Sequence, residues 1–416
     1  MEAVVQADVA VIGSGPAGLV AAVEAYRGGA RNVLLIEREE ELGGILKQCI
    51  HNGFGLEQFK TDYTGPEYAE RLVEELEKTE VRCLLNTMVL SLSPDLEITA
   101  VNSEDGVFRI AAKSVVLAMG CRERARGSVN IPGTRPAGVL TAGVAQRLVN
   151  IDGYLPGREV VILGSGDIGL IMARRLTLEG ARVTGVYEIL SHPGGLKRNI
   201  VQCLSDFDIP LYLSHTVTEI RGKERVEGVV VSRVDEKTQP LRGSERHIPC
   251  DTLLLSVGLI PENELSKGAG VELSPVTGGP VTYETMETSV PGIFTCGNVS
   301  TVFDLVDYVA QTGESAGRNA ARFALGEWKR NGKCVEVVPG HNVRVVFPQR
   351  YRFQDDLIVF IRAAEPVEKP VTIGVSPAGM QLKRLYARPN EMLRVKIPKE
   401  KLENVTGPIQ VSILER

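Results

Sequence analysis

The sequence predicts an α/β fold: two three-layer domains on parallel sheets, with a β-meander in the first, and an all-β domain at the C-terminus. Three observations predict it. A glycine-rich strand-turn-helix-strand pattern occurs twice, the two copies keep a constant spacing, and after Gly332 the chain turns to short apolar runs divided by Pro, Gly and Asn.

In the first copy, residues 8–12 read as a buried strand, GSGPAG places Gly13, Gly15 and Gly18 before a helical stretch to Tyr26, and a strand at 33–36 ends at Glu37. The first glycine permits a tight turn, the second lets backbone approach a pyrophosphate, and the third lets helix pack on strand. Phosphates then meet the helix N-terminus, and the acid accepts from a ribose diol. One such turn recurs in many α/β proteins without a ligand, but here it is repeated. A strand at 160–163 leads into GSGDIG, with Gly164, Gly166 and Gly169, and the next strand ends at Glu188. Each landmark lies 151 positions after its partner, as do the pairs Gly43-Gly44 and Gly194-Gly195, each with a Leu-Lys step after it. The expectation is two Rossmann-like dinucleotide-binding domains.

Composition bounds the partners. The chain has 416 residues, 43% of them apolar, enough for two or three domains. A net charge of −5 gives no footprint for nucleic acid. Apolar runs are strand-sized, far below the ~18 residues of a transmembrane segment. The start, MEAVVQADVAVIG, has no basic region or cleavage site, which predicts a chain without a signal peptide and a cytoplasmic location. Seven cysteines stand at least 34 positions apart, which excludes a locally encoded zinc or iron–sulfur site and a CxxC pair. No metal is expected.

Further landmarks are ELGG at 41–44, AMGCRE at 118–123 after a strand ending at Leu117, LLLSVGLIPEN at 253–263, TSVPGIFTCGNV at 288–299, and the helical DLVDYVAQTGESAGRNAA at 304–321. With them the chain resembles the two-dinucleotide-domain flavoproteins of the pyridine nucleotide-disulfide oxidoreductase class over about residues 5–325. The resemblance implies FAD on the first copy and NAD(P)H on the second. FAD would be held by Gly13, Ser14, Gly15, Pro16, Ala17, Gly18, Glu37, Arg38, Gly44 and Val89. It would also meet the crossover Ala118, Met119 and Gly120, the returning Gly297 and Asn298, and Tyr308 and Val309 at the start of a helix whose dipole faces the flavin. The class has Asp where this chain has Asn298, and Asn keeps an acceptor oxygen. The nicotinamide nucleotide would be held by Gly164, Gly166, Asp167, Ile168, Gly169, Glu188 and Gly258. Glu188 favours NAD by repelling a 2′-phosphate, whereas Lys197 and Arg198 read as solvated helix charges or as partners for the phosphate of NADP.

Disulfide reductases of the class carry Cys-x₄-Cys after the Gly-Gly step; here those positions are Leu46 and His51. The catalytic candidates left in GGILKQCIHNGFG are Cys49, as a single redox thiol or an inert buried one, and His51, as a proton relay or a structural residue. Arg122, Arg124 and Arg126 read as an anion clamp or a plain surface loop. The pattern also resembles the NAD-linked flavoprotein subunits of glycerol-3-phosphate-dehydrogenase-like, opine, proline and hydrogen-cyanide-forming complexes. That implies hydride transfer between nicotinamide and flavin, with electrons exchanged with a partner flavoprotein dehydrogenase subunit. Two other readings stay open: a stand-alone NADH oxidase or single-cysteine disulfide reductase using Cys49, and a non-catalytic nucleotide-binding scaffold.

The expected organisation is an FAD domain at 1–135 and 260–330, an NAD(P) domain at 136–259, and a β-rich C-terminal domain at 335–416. Residues 81–112 read as a small meander, 67–80 as an amphipathic surface helix, and the tail as strands at 343–347, 357–361, 371–375, 393–397 and 409–414. The tail shows no catalytic pattern and would serve partner docking, homo-oligomerisation or shielding.

Overall fold

The structure, a computed structural model, describes residues 4–328 and 332–415. The expected domain limit at residue 330 lies outside them. The chain divides into two compact units, 1–121 with 261–416, and 122–260.

The first unit is built on a seven-stranded sheet in which Arg82–Leu84, Val33–Ile36, Val4–Ile12 and Gly106–Leu117 lie side by side in parallel. All four residues of Val33–Ile36 are buried, as a strand covered on both faces requires. Gly106–Leu117 is shared: its first half pairs antiparallel with Glu97–Asn102, and its end pairs parallel with the returning Ile293–Thr295. The register aligns Ile12, Ile36, Leu117 and Thr295 along one edge, the carboxyl ends of the strands, where open α/β sheets bind ligands. The stretch read as one meander is divided. Arg82–Leu84 joins the parallel sheet, and the meander is Met88–Leu92, Glu97–Asn102 and the start of Gly106–Leu117.

On one face the helices Pro16–Arg27 and Val306–Ala324 pack backbone to backbone. A Cβ at Gly313 would stand 2.5 Å from the Ala17 carbonyl oxygen, and one at Gly317 2.1 Å from that of Ala21. The amphipathic helix spans Gly65–Glu77, two residues ahead of its expected start, because Thr64 and Glu67 form a reciprocal capping box.

The tail is a β-sandwich of a five-stranded and a three-stranded sheet, with the expected strands and three more, Val335–Pro339, Arg350–Tyr351 and Met380–Arg384. It belongs to the first unit. Phe347, Phe360 and Met392 enter that unit's core cluster, Phe360 lies 5.1 Å from Phe303, Arg394 Nε donates to Gln311 Oε1 at 2.7 Å, and Arg362 pairs with Asp304.

The second unit holds a five-stranded parallel sheet in the order Val139–Thr141, Thr252–Leu255, Glu159–Leu163, Arg182–Glu188, Leu211–Leu213, and a three-stranded antiparallel sheet. Among the described residues no helix is long and apolar enough to cross a membrane.

Candidate functional site

Each glycine-rich turn connects a central strand to a helix at the carboxyl edge of its sheet. In the first unit Gly13 adopts φ +100°, and a Cβ on it would stand 2.6 Å from the Ala118 carbonyl oxygen. Gly18 is tighter, with a Cβ position 1.8 Å from the Gly13 carbonyl oxygen, while a Cβ on Gly15 would meet nothing within 4 Å. Two glycines are therefore required by the protein itself, and the middle one faces open space. The helix Pro16–Arg27 has Gly15 as its N-cap and no side-chain cap, so its first-turn N–H groups can receive an anion. Glu37, closing the second strand, is 7% exposed; its Oε2 accepts from Ser14 N–H at 2.8 Å and Ser14 O–H at 2.7 Å, and its Oε1 accepts from Glu39 N–H at 3.0 Å.

The second unit reproduces the hydrogen bonds of this cradle. Gly164 has φ +94°, and Gly169 lies under Ser256. The helix Asp167–Leu178 starts from Gly166 without a side-chain cap. Glu188 Oε2 accepts from Ser165 N–H at 2.9 Å and Ser165 O–H at 2.6 Å, and Oε1 from Leu190 N–H at 3.0 Å. Asp167 and Ile168 open the helix. Asp167 Oδ1 already accepts from Leu196 N–H and Asn199 Nδ2 at 2.8 and 2.6 Å, so its carboxylate anchors protein rather than a ligand. Gly258, with φ +102°, is exposed three residues beyond the buried 252–255 strand, and its carbonyl accepts from Arg124 N–H at 3.0 Å. Lys197 and Arg198 are exposed at the start of a short helix.

The remaining expected contacts of the first turn collect along the same edge, with exceptions. Gly44, φ +56°, approaches Gly15, its Cβ position 3.0 Å from the Gly15 Cα. Ala118 is buried, and Met119 and Gly120 are half-buried beyond it. Gly297, φ +69°, donates its N–H to Thr312 Oγ1 at 2.9 Å, and a Cβ there would meet Ala17 Cβ at 2.8 Å and Val309 Cγ1 at 3.2 Å. Asn298 uses its Oδ1 to accept from Phe303 N–H at 3.0 Å, and its amide donates toward Cys121 Sγ at 3.7 Å. One acceptor position of the Asn298 oxygen is thus engaged within the protein, and a second remains. The helix begins at Val306, so Tyr308 and Val309 lie in its first turn; burial raises the Tyr308 phenol. Val89, on the first meander strand, turns its side chain into the core at 7% exposure and offers a ligand only its backbone. Arg38 is exposed beside Glu39.

Cys49 is not a poised thiol. It is 6% exposed beneath the 65–77 helix, where Gly65 N–H donates to its carbonyl at 2.8 Å, its Sγ donates to Ile45 O at 3.3 Å, and burial pushes it up to about 12. A low thiolate fraction removes its nucleophilicity. His51 is half-buried, with Nδ1 2.9 Å from Asn52 O and its ring 5.1 Å from Phe54. Arg126 donates to the carbonyls of Ile131, Gly133 and Thr134, which makes it a loop clamp rather than an anion clamp.

Two turns with an uncapped helix start and a buried acid fit a dinucleotide's pyrophosphate and ribose; the middle glycine is open in the first, whereas a Cβ on Gly166 would stand 3.3 Å from Ser256 Oγ. Sequence reasoning named Ser14 but missed Ser165 and Asn199; the signal for Ser165 was the Ser shared by GSGPAG and GSGDIG.

Residues 7–317 match the sequence profile of the pyridine nucleotide-disulphide oxidoreductases. The HcnB component of hydrogen cyanide synthase from Pseudomonas protegens is 28% identical over 284 residues, 63% of this chain and 58% of its own. An opine oxidase subunit of Agrobacterium tumefaciens is 28% identical over 343 residues, 77% of this chain and 66% of its own. The chain thus spans about three-fifths of the length of these curated relatives. In fold it is similar to thioredoxin reductase of T. acidophilum, with a TM-score of 0.63 and 24% identity over 77% of this chain and 99% of that one. The chain belongs to the pyridine nucleotide-disulphide oxidoreductase family, whose members are FAD-dependent NAD(P)H oxidoreductases.

Proposed function

We propose that this chain holds FAD on the first turn and NAD(H) on the second, passes hydride between them, and serves as the electron-transfer subunit of a multi-subunit dehydrogenase. The observation that carries the reading is the duplicated cradle, Ser14 with Glu37 and Ser165 with Glu188, in a chain whose seven cysteines are all unbridged. FAD is assigned to the first turn because Gly297 and Asn298 return to it. Bound FAD supplies the two-electron centre that accepts hydride from nicotinamide.

The chain's own groups bind and orient. Gly13, Gly15 and Gly18 let backbone reach the FAD pyrophosphate, Glu37 takes its ribose, and the 306–324 helix start favours negative charge on the reduced ring. Glu188 takes the nicotinamide nucleotide's ribose and disfavours a 2′-phosphate, which makes NAD the preferred nucleotide over NADP. Holding both reactants replaces a bimolecular encounter by an oriented one.

Leu46 and His51 occupy the positions of a dithiol, and Cys49 is buried, so electrons leave for an acceptor outside the chain. Two relatives are named as subunits, one of hydrogen cyanide synthase and one of opine oxidase, which supports a partner dehydrogenase subunit here. Anaerobic mixing with NADH tests the core of the reading. The flavin's visible band should bleach; an unchanged band would leave a nucleotide-binding scaffold. Pull-down from the native extract should recover a second flavoprotein.

A further inference from the structure

The Ser165 hydroxyl joins two parts of the second turn. It is fully buried, donates to Glu188 Oε2 at 2.6 Å and accepts from Gly194 N–H at 2.8 Å. An N–H can only donate, so the hydroxyl's single proton is committed to the carboxylate. The Gly194-Gly195 segment is thereby tied to the group that anchors the acid. It also lies close over both, with a Gly194 Cβ position 3.7 Å from Glu188 Oε2 and 3.6 Å from Gly166 N. Asp167 adds a second tether through Leu196 N–H and Asn199. In the first copy Gly43 N–H goes instead to the backbone carbonyl of Ser14, at 3.1 Å, which leaves the Ser14 hydroxyl out of the link.

We propose that Ser165 is a positioning residue for recognition of the nucleotide's ribose 2′ position, coupling Glu188 to the Gly194-Gly195 segment. This rests on the reading of Glu188 as the ribose-binding acid. The two Glu188 oxygens accept three donors from Ser165 and Leu190. A carboxylate has about four acceptor positions, so one remains for a ribose hydroxyl. A 2′-phosphate brings negative charge against an acid held at Oε2 by two Ser165 donors. Turning the acid aside would strip a buried hydroxyl of its acceptor, a penalty that the ribose diol does not incur.

The test is calorimetric titration of the FAD-loaded protein with NAD⁺ and NADP⁺, oxidised nucleotides that leave the flavin oxidised. Ser165→Ala should weaken NAD⁺ about tenfold, the size of one hydrogen bond to a charged group, and leave NADP⁺ within about twofold. Ser165→Gly, a second way to remove the hydroxyl, should do the same, and Ser165→Thr should restore most of the loss. In a double-mutant cycle, Ser165→Ala combined with Glu188→Gln should bind NAD⁺ no more weakly than Glu188→Gln alone. If Glu188→Gln leaves the NAD⁺ to NADP⁺ ratio unchanged, the ribose reading fails. If that ratio moves but the serine variants do not move it, or the two effects add, the coupling fails and the ribose reading stands.

Discussion

The two glycine turns share an acid cradle and differ in how the segment after the acid is tied down. In the first, Gly43 N–H bonds to backbone and Gly44 presses on Gly15, a closure made of main chain. In the second, side chains of Ser165 and Asp167 hold the segment. One motif is thus closed by main chain in one copy and by side chains in the other.

The two turns should separate most clearly at the third glycine. Gly18→Ala places a methyl 1.8 Å from the Gly13 carbonyl oxygen and should cost more than about 4 kcal/mol, seen as loss of folded, yellow protein. Gly169→Ala meets Ser256 Cβ at 2.7 Å and should cost only about 1–3 kcal/mol, with FAD retained and a lowered melting temperature.

Next come the open glycine and the acids. Gly15→Val, with nothing within 4 Å of its Cβ position, should fold but purify without flavin. Glu188→Ala should keep FAD and reduce the preference for NADH over NADPH, measured by anaerobic flavin reduction, by roughly tenfold or more. A smaller effect is expected at the tether: Asp167→Ala should speed NADH release several-fold in stopped-flow while FAD content stays constant. The smallest is at Cys49. Cys49→Ser should leave NADH-dependent dye reduction nearly unchanged, since a serine hydroxyl can donate to Ile45 O as the thiol does. Loss of turnover would return a thiol relay to contention.

What was legible in the sequence is local. Gly13 and Gly164 need positive φ, and fully apolar runs such as 33–36 need burial on both faces, so turns, central strands and acids stand in the letters themselves. What was not legible depends on distant partners. Arg82–Leu84 lacks an alternating pattern and becomes a parallel strand only because Val33–Ile36 offers an edge. Met380–Arg384, reading MQLKR, is too polar to look like a strand and is fixed by pairing with Val371–Ser376. Of the two readings of Cys49, the buried one depends on such a partner, the 65–77 helix whose Gly65 N–H donates to the Cys49 carbonyl.

The glycine-mediated contact of the 16–27 and 306–324 helices bears on biosynthesis. Residues 122–260 are contiguous, so the second unit has all its strands as soon as that stretch has left the ribosome. The first unit begins earlier but must wait for Ile293–Thr295 to complete its sheet and for Gly313 and Gly317 to dock on Ala17 and Ala21. The second unit's strands are therefore complete before the first unit's, and the sheet edge that carries the first turn is complete only after residue 317 has been made.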